Sequence, residues 1–99
     1  MVEPQSVNVV LIGRKPVTNY VMAVLKLFQS DGVDEVIVRA RGRNICKAVD
    51  TVEHVKNLIL KDVQIKDIRI GSEELPDEQT GRKRRVSTIE IVLVRGGKQ

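Results

Sequence analysis

Two cations follow a glycine at the point where the first apolar run of the chain ends. The turn Gly13-Arg14-Lys15-Pro16 separates the run Val7–Ile12 from a longer apolar segment with helical spacing. Proline suits the start of a helix, because its missing N–H would have no partner there. A helix N-terminus also offers free N–H groups and partial positive charge, which favour an anion. Arg14 and Lys15 at this turn therefore predict a phosphate-sized binding site, and two solvated surface cations are the alternative.

A second basic turn follows the second predicted strand. Residues 39–47 contain four cations and no acid, so their charge equals the formal net charge of +4 for the whole chain. The turn Arg41-Gly42-Arg43-Asn44 separates a β-branched strand pattern from a second helical pattern, and Lys47 lies at the start of that helix. Asn44 is a residue type that caps helix N-termini. This turn has the same chemistry as the first one.

The third basic element is the segment Ser72–Arg85, in which the charges are segregated. Four acids precede Gly81 (Glu73, Glu74, Asp77 and Glu78), and four cations follow it (Arg82, Lys83, Arg84 and Arg85). The segment is too long for a tight hairpin turn. Folded back on itself, it predicts a basic arm that projects roughly 20 Å. It has too few apolar residues for a core, so we expect it to be mobile until it binds a partner, with its acids and cations paired in the free protein.

The patterns occur in the order β-α-β-α-β-β. Strands are predicted at 7–12, 35–40, 64–71 and 86–95, and helices at 16–29 and 45–60. This order predicts an α/β two-layer sandwich, with a four-stranded mixed sheet and both helices on one face. Crossover connections make the first three strands parallel. The turns that leave these strands then meet at one edge of the sheet, and this convergence favours phosphate binding over isolated surface cations.

Three expectations about burial accompany this fold. The first strand is apolar on both faces, which predicts a central position in the sheet. The first helix is apolar nearly all round, so we expect it to be covered by the sheet and by either the second helix or a partner subunit. The second helix is expected to bury one face and to leave Thr51 and Lys47 toward water. Its predicted buried residues are Ile45, Ala48, Val49, Val52, Val55 and Ile59.

Catalysis has little support in the sequence. The only histidine, His54, and the only cysteine, Cys46, lie about 12 Å apart along the predicted second helix, which excludes a nucleophile–base pair. Metal-ligand spacings and glycine patterns for nucleotides are absent. The only aromatics, Tyr20 and Phe28, argue against a surface that stacks bases. We expect no catalytic residues, no metal and no cofactor, and keep a small enzyme for a phosphorylated ligand as an alternative.

Composition predicts one domain over residues 1–99, with 41% apolar and 30% charged residues. Residues 1–6 are expected to form a loose N-terminus and residues 96–99 a short tail. One cysteine cannot form an internal disulfide. Neither a signal-peptide pattern nor an apolar run of about 18 residues occurs. We therefore expect a soluble cytoplasmic protein without a membrane partner.

Several motifs, in order along the chain, resemble the Alba family of archaeal DNA- and RNA-binding chromatin proteins. The resemblance extends from about Asn8 to Leu93. It rests on Val9-Val10-Leu11-Ile12-Gly13-Arg14-Lys15-Pro16-Val17, Asn19-Tyr20-Val21, Arg39-Ala40-Arg41-Gly42-Arg43, Lys47-Ala48-Val49-Asp50-Thr51-Val52-Glu53 and Arg85-Val86-Ser87-Thr88-Ile89-Glu90-Ile91.

The resemblance implies an Alba fold and a homodimer, or a heterodimer with a paralogue, that coats and compacts double-stranded DNA with little sequence preference. It also implies RNA binding and a location on the nucleoid or chromosome. An RNA-binding subunit of a ribonucleoprotein, or an RNA-maintenance protein, is the alternative. The nucleic-acid-binding residues would be Arg14, Lys15, Arg41, Arg43, Asn44, Lys47, Arg82, Lys83, Arg84 and Arg85.

Two departures from the family's pattern modify these expectations. Paired lysines in the first turn of the family are Arg14 and Lys15 here, so acetylation, which weakens binding in the family, could act only on Lys15. A phenylalanine late in the second helix, used in the family for contacts between dimers, is replaced by Ile59. Such contacts are therefore expected to involve the segment Leu58-Ile59-Leu60.

Overall fold

The computed structural model describes residues 8–96, which form one four-stranded sheet covered on one face by two helices. The strands are β1 (Val9–Leu11), β2 (Glu35–Arg41), β3 (Val63–Pro76) and β4 (Lys83–Arg95). The helices are α1 (Val17–Leu25), which continues as a wider π-helical turn over Lys26–Ser30, and α2 (Ile45–His54), which continues in the same way over Val55–Ile59. The predicted loose terminus and residues 97–99 of the tail lie outside the described residues.

The strand order in the sheet is β1-β2-β4-β3. β1 is parallel to β2, and β4 is antiparallel to both β2 and β3. β1, β2 and β3 therefore run in the same direction, as predicted. The predicted central position of β1 is wrong, since β1 pairs with β2 alone and lies at the edge. Its second apolar face is open: Leu11 lies opposite Arg39 and is 64% exposed.

The core lies between the helices and the inner face of the sheet, and it is built almost entirely from aliphatic residues. On β2 the inner positions Val36, Val38 and Ala40 alternate with more exposed ones. Their partners on β4, such as Leu93 and Ile91, are equally buried. This alternation is the period-two pattern of a sheet with one covered face.

The buried face of α2 differs from the prediction. Thr51 is completely buried, whereas Val49 and Ile59 are each 42% exposed. The Thr51 hydroxyl donates a hydrogen bond of 2.8 Å to the Lys47 carbonyl oxygen one turn earlier, which satisfies the polar group inside the core. The prediction assigned the buried face of α2 from apolar residues alone and so left out Thr51. A threonine whose hydroxyl is bonded to the helix backbone can pack in the core like a small apolar residue.

A β-bulge at Lys66 interrupts β3. The register passes from Ile65 opposite Leu93 to Asp67 opposite Val92, so that Lys66 is an extra residue. As a result, the three isoleucines of β3 fall on one face of the strand despite their uneven spacing. They are partly to largely exposed, with 37% for Ile65, 51% for Ile68 and 83% for Ile70.

The segment 72–85, predicted as a projecting basic arm, is a β-hairpin formed by the outer parts of β3 and β4. The strands pair without interruption from Ser72 opposite Ser87 to Pro76 opposite Lys83. Asp77 donates its N–H to the Arg82 carbonyl at 2.7 Å, and Gly81 adopts a φ of +74° in the turn. The paired strands extend beyond their predicted ends at residues 71 and 86. They carry no apolar alternation there, because an isolated ribbon has no core. The predicted mobility of the arm stays a prediction.

Candidate nucleic-acid interface

The first basic turn and the second helix are joined by Lys47. Its ammonium group donates hydrogen bonds of 2.8 Å to the carbonyl oxygens of both Gly13 and Lys15. The sequence predicted that the Lys47 side chain points to water, but in the structure it is half-buried. Lys47 thus holds the turn after β1 against the start of α2, so the two turns are adjacent at one edge of the sheet.

The Tyr20 hydroxyl holds the same turn from the other helix. It accepts the N–H of Gly13 at 2.9 Å and the N–H of Lys15 at 3.1 Å. A Cβ atom at position 13 would lie 3.3 Å from that oxygen, which favours glycine there. The sequence analysis assigned Tyr20 no contact with this turn and only placed it on the apolar first helix. The available signal was its position one turn after Pro16, since helical side chains tilt toward the helix N-terminus.

Both helices begin at this edge without a side-chain cap. Pro16 occupies the N-cap position of α1 and has neither an N–H nor a capping oxygen. Asn44 occupies the N-cap position of α2, as predicted, but its side chain makes no capping hydrogen bond. A 3₁₀ turn over Gly42–Asn44 leads into α2, and Ile45 donates its N–H to the Gly42 carbonyl oxygen, so this helical segment begins after Arg41, again without a side-chain cap. The first N–H groups of a helix have no partner within the helix. Two helix N-termini therefore bring partial positive charge to one place.

The predicted cations differ in what they contact. Arg14, Lys15 and Arg43 are exposed, and among the described residues none of them forms an ion pair. Arg41 instead pairs with Glu73 at 2.8 Å, an exposed contact that joins the second turn to the base of the arm. The three segments predicted to converge are thus in contact, through Lys47 and through this ion pair.

The arm distributes its cations over two faces. Arg84 lies opposite Leu75, and Arg85 lies opposite Glu74. Neighbouring residues of a strand face opposite sides, so Lys83 and Arg85 share the face that Arg84 does not. Within residues 72–85 no ion pair joins the acids to the cations, so the expected pairing between them is wrong. Glu73 pairs instead with Arg41, outside the arm.

The open face of the sheet carries a second set of cations that are already neutralised. Arg39 contacts Glu90 at 2.6 Å, and Arg69 contacts the same carboxylate at 3.4 Å. Arg69 also lies 3.0 Å from Asp67, whose hydrogen bond and charge raise the pKa of the guanidinium group. Arg39, Arg69 and Glu90 line a cavity of about 580 Å³. Arg39 belongs to the basic stretch of the sequence but not to the edge formed by the turns.

The segment Leu58-Ile59-Leu60, predicted for contacts between dimers, is only partly exposed. Leu60 is 8% exposed and belongs to the core, so it offers no surface for a contact between dimers, whereas Leu58 is 66% exposed and Ile59 is 42% exposed. In the described part of the chain, no cluster of three or more histidine, cysteine, aspartate or glutamate side chains could hold a metal ion. None of the helices described between residues 8 and 96 is long and apolar enough to cross a membrane.

A family model described as Alba matches residues 8–72, which include both turns and both helices. The chain belongs to the Alba family. The protein named DNA/RNA-binding protein Alba from Nanoarchaeum equitans (strain Kin4-M) is 55% identical to it over 87 residues, which cover 87% of this chain and 96% of that protein.

Solved Alba structures have the same fold. Alba from Thermoplasma volcanium superimposes with a TM-score of 0.83 at 39% identity, covering 89% of this chain and all of the other. ALBA1 from Trypanosoma brucei gives a TM-score of 0.73 at 29% identity, covering 92% of this chain and 71% of the other. The predicted two-layer Alba fold with a mixed sheet is thus confirmed.

Proposed function

We propose that this Alba protein is a non-enzymatic protein that binds double-stranded DNA, and also RNA, through the phosphate backbone. The observation that carries the proposal is the edge of the sheet where two uncapped helix N-termini lie beside the unpaired cations Arg14, Lys15 and Arg43. Phosphate contacts fix position but carry no base information, so sequence preference is low. The similar Nanoarchaeum protein is named a DNA/RNA-binding protein, which supports both ligands.

In this proposal the protein coats and compacts DNA in the cytoplasm, associated with the chromosome. A role as an RNA-binding subunit of a ribonucleoprotein is the second candidate, since the Nanoarchaeum relative is named as binding RNA as well as DNA. Lys15 is exposed, so its acetylation would remove one positive charge from the edge and weaken binding.

The salt dependence of binding tests the proposal. If Arg14, Lys15 and Arg43 of two protomers each neutralise one phosphate, log K for duplex DNA falls with log salt with a slope of about −5, and contacts by the arms make it steeper. Fluorescence anisotropy with a labelled duplex and a labelled structured RNA, at several salt concentrations, measures both slopes and the preferred ligand. Affinity that stays level between low and physiological salt would contradict phosphate binding.

We propose that the protein is a homodimer, and that the isoleucine face of β3 contributes to the interface. Helix α1, which the sequence favoured, exposes Met22 as its large apolar side chain, whereas β3 exposes three isoleucines on one face. Exposed apolar patches of this kind commonly mark protein contacts. A heterodimer with a paralogue would use the same face.

We expect the double substitution Ile68→Asp and Ile70→Asp to convert the dimer into a monomer at micromolar concentration, because it places charge in the middle of the apolar face. Met22→Asp is the matched control, since Met22 is 64% exposed but lies on α1, and this variant stays dimeric. Sedimentation velocity distinguishes the species. A wild-type monomer, or a monomer produced only by Met22→Asp, would refute the assignment.

The ion pair between Arg41 and Glu73 lowers the affinity of the protein for DNA. The Arg41 guanidinium must give up its contact with the Glu73 carboxylate before it can bind a phosphate. Glu73→Gln is therefore expected to tighten DNA binding by about two- to five-fold, the range for an exposed ion pair of at most ~1 kcal/mol. Glu78→Gln removes the same charge from the arm without releasing a cation, and should have a smaller effect. Anisotropy at one salt concentration compares the two. Equal effects would show that only net charge matters.

A further inference from the structure

We propose that Tyr20 and Lys47 are positioning residues that together fix the backbone of residues 13–15 in the shape that binds phosphate. We refer to these two side chains as the loop clamp. This inference rests on the proposed function, because it assigns to both residues a role in preparing that same edge for its ligand. It also changes the role predicted for Lys47, from a phosphate contact to a support behind the contacts.

The hydrogen bonds of the loop clamp are complementary. The Tyr20 hydroxyl accepts two N–H groups, from Gly13 and Lys15, at 2.9 and 3.1 Å. The Lys47 ammonium donates to two carbonyl oxygens, of the same two residues, at 2.8 Å each. Two side chains from two helices therefore satisfy both backbone polar groups on either side of Arg14. The ammonium nitrogen also lies 6.0 Å from the centre of the Tyr20 ring, which favours a cation near the aromatic face.

This arrangement leaves the ligand-binding groups of the turn free. Four inward backbone groups of residues 13 and 15 are occupied, whereas the Arg14 and Lys15 side chains are exposed. A turn that is rigid before binding loses less conformational freedom when it meets a phosphate. The loop clamp thus raises affinity without touching the nucleic acid, and its effect should require Arg14 and Lys15 to be present.

A double-mutant cycle on the full chain tests this requirement. The first variant, Tyr20→Phe, removes only the hydroxyl group. We expect it to weaken binding of a labelled DNA duplex by about five- to ten-fold in the wild-type protein. In a background that carries Arg14→Ala and Lys15→Ala, we expect the same change to weaken binding less than about two-fold, because contacting residues act non-additively. Equal factors in the two backgrounds, or no weakening in either, would overturn the proposal.

Amide hydrogen exchange in the protein without nucleic acid gives a second, independent readout. We expect Tyr20→Phe to speed exchange at the amides of Gly13 and Lys15, and Lys47→Met to speed exchange at Lys15 while keeping the aliphatic stem. Lys56→Met removes the same charge from the segment that follows α2, with no hydrogen bond to the turn, and should leave both amides unchanged. If exchange at the Lys15 amide is unchanged in Lys47→Met, Lys47 does not fix the turn, and this part of the proposal is wrong. This result does not depend on whether Tyr20→Phe folds.

The experiments separate this inference from the function on which it rests. If the wild-type protein does not bind the duplex, or binds without salt dependence, the proposed function fails, and exchange rates alone decide whether the turn is clamped. If wild-type binding is steeply salt-dependent but Tyr20→Phe binds equally well, the loop clamp has no role in binding and the proposed function stands.

Discussion

Replacing Arg14, Lys15, Arg41 and Arg43 with alanine is expected to weaken binding to duplex DNA by at least about 10³-fold at 0.15 M salt. Each neutralised phosphate contributes about 0.7 logarithmic units of affinity at that salt concentration, so even four lost contacts reach this factor. Three of these cations are exposed without an ion pair among the described residues, and the fourth is held only by an exposed pair with Glu73. The fold should persist, since none of the four belongs to the core.

The loss should be similar for oligonucleotides of different sequence, because phosphate contacts carry no base information. The matched control removes four cations from outside this edge: Lys26, Lys56, Lys61 and Lys66. Both variants reduce the formal net charge from +4 to 0, yet the control should bind DNA within a few-fold of wild type. Equal losses in the two variants would show that overall charge, and not the edge, carries binding. A loss confined to one sequence would indicate base readout.

The arm gives the second large effect. Replacing Arg82, Lys83, Arg84 and Arg85 with alanine is expected to leave the protein folded and to make the salt slope shallower by about 2 to 4 for a dimer. The range follows from the ribbon: Arg84 faces away from Lys83 and Arg85, so one or two cations of each arm meet phosphates at once. Anisotropy against salt concentration measures the slope, and circular dichroism checks the fold.

Two single variants show which face of the arm meets the nucleic acid. Arg84→Ala and Arg85→Ala remove the same charge from neighbouring positions on opposite faces, so they should differ in their effect on affinity. If both singles and the four-residue variant bind DNA with unchanged affinity and slope, the arm acts as a spacer, and the two turns at the sheet edge carry binding alone.

The order of elements and the convergence of the turns were predictable from the sequence. Apolar periodicity located the strands and helices, and crossover rules set the common direction of β1, β2 and β3. The strand order was not predictable in the same way. It depends on the insertion of β4 between β2 and β3, and no local sequence pattern indicates which strands β4 pairs with. An apolar run such as Val9–Leu11 fits an edge with one open face as well as a central strand.

The details of the site depended on contacts between distant residues. Tyr20 is a residue type expected in a core, and Lys47 is one expected at a surface. In the structure the side chains of both hold the same turn by hydrogen bonds to its backbone atoms. Residue types reveal charge but not which carboxylate lies nearby, so the sequence did not distinguish Arg41, which pairs with Glu73, from Arg43, which forms no ion pair between residues 8 and 96. The arm itself was predicted, but the extension of β3 and β4 into it was not, because the arm has no apolar alternation.

The bulge at Lys66 has a consequence for aggregation. β3 forms one edge of the sheet over 14 residues, and an edge of that length presents a row of unpaired N–H and C=O groups to any other extended chain. The bulge breaks this row, and Pro76 at its end donates no hydrogen bond. We therefore expect the β3 edges of two copies not to pair with each other into fibrils.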